Sequence, residues 1–303
     1  MKTVVSGSTG LIGSALSKAL TQRGDEVVPL VRRQPGPGES VVAWDPERGT
    51  IDRDGLEGAD AVIHLAGENV FGRWSPAKKQ RIYDSRVKGT RLLSEALAGL
   101  QRRPATLLAA SAIGYYGDRG DEAVTEESTA GEDFLAHVSR DWEAAAAPAT
   151  RAGIRVVNMR IGVVLTTTGG ALAKMLPAFR LGIGGPVGSG NQYLSWIDLG
   201  DIINAMLHLL DHHNLVGPVN MTAPTPLTNR EFARTLGKVL GRPAVVTVPV
   251  FALRMAFGTE GAAMLQSGQR VLPTRLVAAG FDFAFREVEA ALRHLLAPSE
   301  RVR

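Results

Sequence analysis

The chain contains no cysteine, which excludes disulfides, thiolate nucleophiles and Cys-held metal centres and fits a reducing, cytoplasmic setting. Histidine is scarce, and none of the six residues falls in an HExxH spacing. His212 and His213 simply follow one another after a helical stretch, so no metal site is expected. No apolar run reaches the length of a bilayer span, and the opening MKTVVSGSTG lacks the layout of a signal peptide, so neither a membrane partner nor secretion is expected. Repeats, low-complexity tracts and long linkers are also missing. A strong charge imbalance is lacking too: 34 Lys and Arg against 30 Asp and Glu leave a net charge of +4. The densest basic pairs, Arg32-Arg33 and Arg102-Arg103, lie in separate segments, so no stripe for nucleic acid is expected. An anionic small molecule accounts for part of the excess.

What is present is enough apolar sequence, at 303 residues and 45% hydrophobic, for one large domain with a smaller partner. Short runs that are apolar throughout read as buried strands at Thr3–Ser6, Glu26–Val31, Val41–Trp44, Ala61–Ala66, Thr106–Ser111 and within Arg155–Leu165. Helical patterns separate them at Leu11–Arg23, Pro76–Leu100 and Phe134–Ala152, the first closed by Gly24. Such alternation predicts a parallel sheet covered on both faces, the doubly wound α/β fold. After Leu165 the rhythm changes. A turn and a helix to about Leu181 precede the glycine-rich stretch 182–190, then a strand and helix over Ser195–Leu210 and a strand at Pro218–Thr222. Helices at Asn229–Leu240, Phe251–Phe257 and Phe285–Leu295 around a strand at Ala244–Val248 make up the rest. The expected division is a cofactor-binding domain over 1–165, rejoined at about 195–225, and a smaller substrate-side lobe within 166–303.

The chemistry starts at Ser6–Gly13. The order Gly7-Ser8-Thr9-Gly10-Leu11-Ile12-Gly13 follows a strand and opens a helix, the context in which three glycines at this spacing bind a dinucleotide. Gly7 permits a tight turn, Gly10 lets the backbone approach a pyrophosphate, and Gly13 lets the helix pack against the strand. The helix start offers free N–H groups and a positive dipole end. About 20 residues further on, where an acid would hold the ribose hydroxyls of NAD, stands Arg32 with Arg33 beside it. Arginine suits a 2′-phosphate through charge-assisted bonds, so the expected cofactor is NADP(H).

These residues resemble the extended short-chain dehydrogenase/reductases of the NAD-dependent epimerase/dehydratase superfamily. Asp60-Ala61-Val62-Ile63-His64-Leu65-Ala66-Gly67 is similar to that superfamily's D-x-V-I-H-L-A-G, Val87-Lys88-Gly89-Thr90 to its V-x-G-T, and Tyr116-Gly117-Asp118 to its Y-G-D. A narrower set resembles an epimerase-like subgroup with an extra C-terminal domain: Trp44-Asp45-Pro46, Gly67-Glu68-Asn69, Ser111–Gly117, Gly184–Gly190 and Gly268–Pro273. The resemblance places Leu65, Ala66 and Gly67 against the adenosine and ribose, and Gly162 and Val163 near the nicotinamide. It sets Arg86 where Asn is usual, either bonded to the cofactor or paired with an acid on the helix surface. It aligns Arg160 with an arginine of the subgroup. It also implies a homodimer by analogy alone.

The superfamily's acid/base tyrosine, with a lysine four residues on, is not met. Aligning on Glu143 puts Leu135 and Ser139 at those two places, and leucine transfers no proton. Aligning on Tyr116-Gly117 puts Ala112 at the usual Ser/Thr position, one residue from Ser111. The remaining catalytic candidates are Ser111, Tyr115 and Tyr116, where each tyrosine is either an acid/base or a pocket wall. On the substrate side stand Glu68, as base or acceptor or plain loop acid, and Asn69. Gln192, Ser195 and Trp196 follow the 184–190 loop, where amides and an indole would hold a small polar substrate. Asp198 and Asp201 read as the cap and first turn of the next helix. Two functions remain open: an NADP(H)-dependent oxidoreductase or epimerase-like enzyme, and a non-catalytic NADP(H)-binding redox sensor or regulator.

Overall fold

A computed structural model describes residues 1–36 and 38–297. The apolar runs become one sheet because no other arrangement hides them on both sides. Val4, Val5, Val62, Ile63, Leu107 and Leu108 have no exposed surface. The strands are β1 (Lys2–Ser6), β2 (Glu26–Val31), β3 (Val42–Asp45), β4 (Thr50–Ile51), β5 (Ala61–His64), β6 (Thr106–Ala112), β7 (Arg155–Ile161) and β8 (Gly217–Met221). They lie in the order β8-β7-β6-β5-β1-β2-β3-β4. All neighbours are parallel except β3 with β4.

Alternate residues of each strand feed opposite layers, as a period of two demands. Val5, Ile63 and Leu108 join a cluster under helices α1 (Leu11–Gln22) and α5 (Leu199–Asp211). Val4, Val62 and Leu107 face the other way, against Leu93, Ala96 and Leu97 of helix α2 (Pro76–Ala98). Helix α3 (Phe134–Ala144) lies beside α2. Helices α4 (Gly170–Arg180), α6 (Asn229–Leu240), α7 (Val250–Gln266) and α8 (Val288–Leu296) belong to the later part of the chain. Of these, α4, α6 and α8 close around a separate core holding Trp196, Phe179 and Phe232.

The chain leaves β1 for β2 in one direction and later continues from β5 outward in the other. β1 therefore sits between β2 and β5, and the crevice beyond the carboxyl ends of β1 and β5 is the point where strand order reverses. Open α/β sheets bind ligands there.

Three sequence expectations are corrected and one strand is delimited. The helix expected over Phe134–Ala152 stops at Ala144 and restarts as Ala147–Arg151, where Pro148 sits in a first turn that needs no N–H from it. The strand expected within Arg155–Leu165 spans Arg155–Ile161. Gly162 turns the chain so that Val163–Leu165 pairs with Trp196–Asp198 in a small sheet of its own. Ala244–Val248 is not a strand, because only Val248 bridges, to Val187. The helix placed at Phe251–Phe257 runs on to Gln266 through a kink at Gly258, whose φ is +74°.

Candidate functional site

The glycine turn is built by steric necessity. Gly7 has φ +68°, and a Cβ there would lie 3.0 Å from both Leu65 C and Ala66 N. A Cβ on Gly13 would come within 2.1 Å of the Gly7 carbonyl oxygen, so only glycine lets α1 start this close to β1. Gly10 is different: it is exposed, its φ is −75°, and it serves as the N-cap with no side chain closing the helix start. No acid occupies the first turn. The amides of Leu11, Ile12 and Gly13 are therefore a positive helix end with no side-chain cap or first-turn acid among the described residues. Ser8 and Thr9 sit at the mouth of the turn, Thr9 exposed.

Across the switch point the turn is pinned to β5. The Ser6 hydroxyl oxygen accepts the amides of Leu65 (3.0 Å) and Ala66 (3.2 Å) and lies 2.6 Å from His64 Nδ1. With two amides on the oxygen, its hydrogen goes to Nδ1, so His64 is neutral and protonated on Nε2. Burial pushes the His64 pKa down to about 4, in agreement. Nε2 has no hydrogen-bond partner among the described residues, and the ring packs at a near right angle to Trp44. The motif that contains His64 assigns it no such work; its position opposite Ser6 follows only from the β1–β5 register.

Arg32 stands exposed just beyond the end of β2 and has no hydrogen-bond or ion-pair partner among the described residues. Arg33 is different, since its guanidinium bonds Glu39 and the Gln34 carbonyl. Arg86 does not pair with an acid on the helix surface. It lies behind Gly67, donating to the carbonyls of Glu68 (3.0 Å) and Ile82 (3.2 Å) with its guanidinium over the Trp142 ring. Burial lowers its pKa to about 10, still far above neutral, so it is a cation beneath the loop after β5.

That loop carries Glu68 and Asn69, and neither is free. Glu68 pairs with Lys78 Nζ at 2.7 Å, with Arg81 3.6 Å away, and the Lys78 bond holds its carboxyl below the ordinary value. It is an anchor for the loop rather than a base. Asn69 Oδ1 accepts the Phe71 amide and shapes the turn. Above it, Lys174 of α4 sits 3.4 Å over the Phe71 ring, and Phe71 meets Phe257 of α7 edge to face. Leu11 packs on Gly169 and Gly170 at the start of α4. The later part of the chain thus closes one side of the crevice.

Beyond the end of β6 lies a buried polar cluster. Ser111 Oγ donates to Glu143 Oε1 at 2.7 Å, and Glu143 takes two bonds from Arg160, Nε at 2.8 Å and Nη2 at 2.9 Å. Arg160 Nη1 donates to the Tyr116 hydroxyl, which in turn donates to Asn220 Oδ1 on β8. Burial works against the Arg160 charge, but the Glu143 pair outweighs it and holds its pKa above the usual guanidinium value. Tyr116 is fully buried, and its pKa is pushed up to about 12. The Ser111 and Tyr116 hydroxyls thus both have partners within the cluster. Tyr115 differs: its ring lies face-on to Arg160, 3.5 Å from the guanidinium carbon, and its hydroxyl makes no hydrogen bond among the described residues. Leu135 of α3 packs against Gly114, and Ser139 is buried nearby, so the positions expected for tyrosine and lysine do adjoin this cluster.

The substrate-side expectations near residue 190 are corrected. Trp196 is wholly buried and its indole N–H is spent on the Thr225 carbonyl. Ser195 Oγ donates to the Gln269 carbonyl and accepts the Val271 amide. Gln192 bonds the carbonyls of Val187 and Leu265. All three hold the later segments together, and the Trp196 indole and Ser195 hydroxyl have nothing left for a ligand. Gly162 fits tightly against Ser195 O and Thr222, and the Val163 amide bonds Ser195 O. Asp198 caps α5 as expected, and buried Asp201 accepts the amides of Ala284 and Phe285. A hollow of about 660 Å³ opens near the start of α2, lined by Trp74, Lys79, Tyr83, Phe134 and Glu260.

Comparison with known proteins agrees with this geometry. Residues 3–221 match the NAD dependent epimerase/dehydratase family, and residues 248–295 match a domain of unknown function, DUF1731. The chain is 45% identical over 289 residues to the epimerase family protein Mb2239 of Mycobacterium bovis, covering 95% of each. It is 39% identical over 302 residues to human epimerase family protein SDR39U1, covering 98% of this chain and all of that one. The crystal structure of human SDR39U1 isoform 2 with NADPH superposes with a TM-score of 0.89 at 38% identity, over 97% of this chain and 99% of the other. The chain belongs to the NAD dependent epimerase/dehydratase family.

Proposed function

We propose that the protein binds NADP(H) in the switch-point crevice and exchanges hydride with a small polar or sugar-like substrate. The residues fit the cofactor. A side chain at Gly7 or Gly13 would fill the cradle, the start of α1 is uncapped, and Arg32 is a cation without a partner among the described residues. In this reading the amides of Gly10, Leu11, Ile12 and Gly13, with Ser8 and Thr9 alongside, hold the pyrophosphate. Leu65, Ala66 and Gly67 line the adenosine side, with Arg86 as the cation behind them, and Gly162 and Val163 border the nicotinamide. Arg32 takes the 2′-phosphate, and Arg33, tied to Glu39, steadies the loop beside it. The single observation that carries NADP(H) over NAD(H) is the unpaired Arg32, and the NADPH in the crystal structure of the human relative agrees with it.

When bound, the cofactor supplies or takes up a hydride. The chain's own contribution is to orient the crevice and handle a proton, and Tyr115 is the one of the three candidates whose hydroxyl is not already committed. The segment up to Leu165, with β8, carries the cofactor half; later segments supply the substrate side. A second reading, a non-catalytic NADP(H) sensor, is favoured by Leu135 and Ser139 at the places of the family's tyrosine and lysine.

Turnover separates the two. NADPH is mixed with the protein and a panel of small carbonyl compounds, and NADP+ with a panel of nucleotide sugars; nicotinamide absorbance and substrate conversion are followed beside direct binding. A change in cofactor or substrate that depends on one substrate class supports the enzyme. Tight NADPH binding with no change in cofactor or substrate in either panel supports the sensor and removes the enzyme reading.

A further inference from the structure

Ten large apolar side chains are exposed among the described residues, and six of them fall in two neighbouring segments: Leu181, Ile183, Val245, Val246, Phe251 and Met255. Leu181 and Met255 are about three-quarters exposed, at 74% and 75%, and Val245 is 79% exposed. The two segments run side by side. The Val246 amide donates to Gly184 O at 3.3 Å, the Val248 amide to Pro186 O at 2.8 Å, and Gly182 lies against Pro243. Solvated proteins seldom gather exposed apolar side chains this way without a partner for them.

Within the two segments the charges have one sign, and the acids beside them, Glu260 on α7 and Glu289 on α8, are ion-paired with Lys79 and Lys238. Residues 170–190 and 238–259 contain Lys174, Arg180, Lys238, Arg242 and Arg254 and no Asp or Glu, in a chain with 30 acids. Lys238 is paired with Glu289, but Arg180, Arg242 and Arg254 have no ion-pair or hydrogen-bond partner among the described residues. Two of these precede apolar residues directly, as Arg180-Leu181 and Arg254-Met255. Exposed apolar side chains in segments that carry arginines and no acid suit insertion below the headgroups of an anionic bilayer. A second copy is disfavoured, since a self-complementary contact would set segments that carry arginines and no acid against each other. An acidic protein would need pockets to receive its anchors, whereas these side chains stand out from the surface.

We propose that this face of the C-terminal part docks the protein on an anionic lipid surface. It is a peripheral contact, and no described helix is long and apolar enough to cross a membrane. Hydropathy along the chain reveals spanning segments, not a patch assembled from residues some 70 apart.

Flotation with vesicles of phosphatidylcholine, alone or mixed with phosphatidylserine, tests this on the full chain. Partitioning onto the phosphatidylserine vesicles should be roughly a hundredfold stronger, given three arginines at the surface, and should fall with added salt. The Phe251→Ser, Met255→Ser pair and the Arg180→Gln, Arg242→Gln, Arg254→Gln triple should each abolish it. Circular dichroism and NADPH binding of both variants, measured alongside, report that they remain folded. No partitioning of the wild type onto either vesicle would overturn the proposal, as would partitioning that both variants retain. So would a wild-type dimer in sedimentation that the serine pair dissolves, because the patch would then belong to a second copy.

Discussion

The Ser6 hydroxyl donates to His64 Nδ1 at 2.6 Å while its oxygen accepts the amides of Leu65 and Ala66. One small side chain thus ties the cofactor turn to the loop after β5, and it does so only with a neutral imidazole. Protonation of Nδ1 would set two donors against each other inside the core. The pKa of His64 is about 4 in the fold against an ordinary 6.5, so between these values the unfolded chain binds the extra proton. Stability from this group is complete above about pH 6.5 and is lost as pH falls through 4, by up to about 3 kcal/mol. Urea unfolding of wild type and His64→Gln at pH 7, 5.5 and 4 checks this. The wild type should lose more stability on acidification, and parallel pH slopes would refute the linkage.

The glycines of the turn separate folding from binding. Gly13→Ala places a methyl 2.1 Å from a backbone oxygen that cannot yield, and about 3 kcal/mol or more of stability should go with it. Gly10→Ala has ordinary φ and a nearest contact of 3.2 Å, so stability should change by less than about 1 kcal/mol. The proposed binding mode brings the Gly10 backbone close to the pyrophosphate, so the added methyl should lower NADPH affinity. Denaturation and calorimetric titration of both variants provide the comparison. Equal losses of stability would show that the turn is not packed as described.

Much of this is legible in the sequence because it rests on local rules. The glycine spacing, the apolar runs and Arg32 at the end of β2 are features of short segments, and β2 and α6 begin and end where expected. What escapes depends on residues far apart in sequence. Nothing in the spacing of Glu68 and Lys78, or of Ser195 and Val271, shows that they bond, so loop residues that look available are in fact occupied. Trp196 reads as a ligand wall because a strand next to a glycine-rich loop suggests a site; the third core claims it instead. Ala244–Val248 misleads for a related reason: an apolar run is a strand only where a neighbouring strand offers a ladder, and here a single bridge from Val248 is all that forms.

Arg32 and Arg33 should behave differently despite being adjacent. Arg32→Ala removes a free cation, and a charge-assisted contact worth about 1.5–3 kcal/mol corresponds to a roughly 10- to 100-fold weaker NADPH complex. NADH, which lacks the 2′-phosphate, should bind the variant as it binds the wild type. Arg33→Ala removes a partner of Glu39 on an exposed loop and should change NADPH binding severalfold at most. Titration of both variants with each cofactor measures the difference. Equal losses for both cofactors with Arg32→Ala would rule out the 2′-phosphate role.

Glu143 and Arg160 form a buried pair, so removing one partner strands the other. Arg160→Met leaves the Glu143 carboxylate beside Ser111 with no cation, and Glu143→Gln leaves Arg160 charged among two tyrosines. Either change should cost about 3–5 kcal/mol, and the double variant should cost less than the two together. Urea denaturation of the three variants measures the coupling. Strict additivity would mean that the pair does not act as a unit.

Tyr115 and Tyr116 are neighbours with opposite expectations. Tyr116→Phe deletes a hydroxyl that Arg160 and Asn220 both use, so it should lower stability by about 1–3 kcal/mol. Tyr115→Phe keeps the ring on the Arg160 guanidinium and deletes a hydroxyl with no partner among the described residues, so stability should stay within about 0.5 kcal/mol. If Tyr115 moves the proton during hydride exchange, its phenylalanine variant should lose about 100-fold or more in turnover while NADPH binding is kept. Loss of turnover with unchanged binding and unchanged stability would distinguish a proton carrier from a wall of the pocket. Full turnover in Tyr115→Phe would instead mean that the proton comes from water or from the substrate itself, because the leucine at position 135 has none to give.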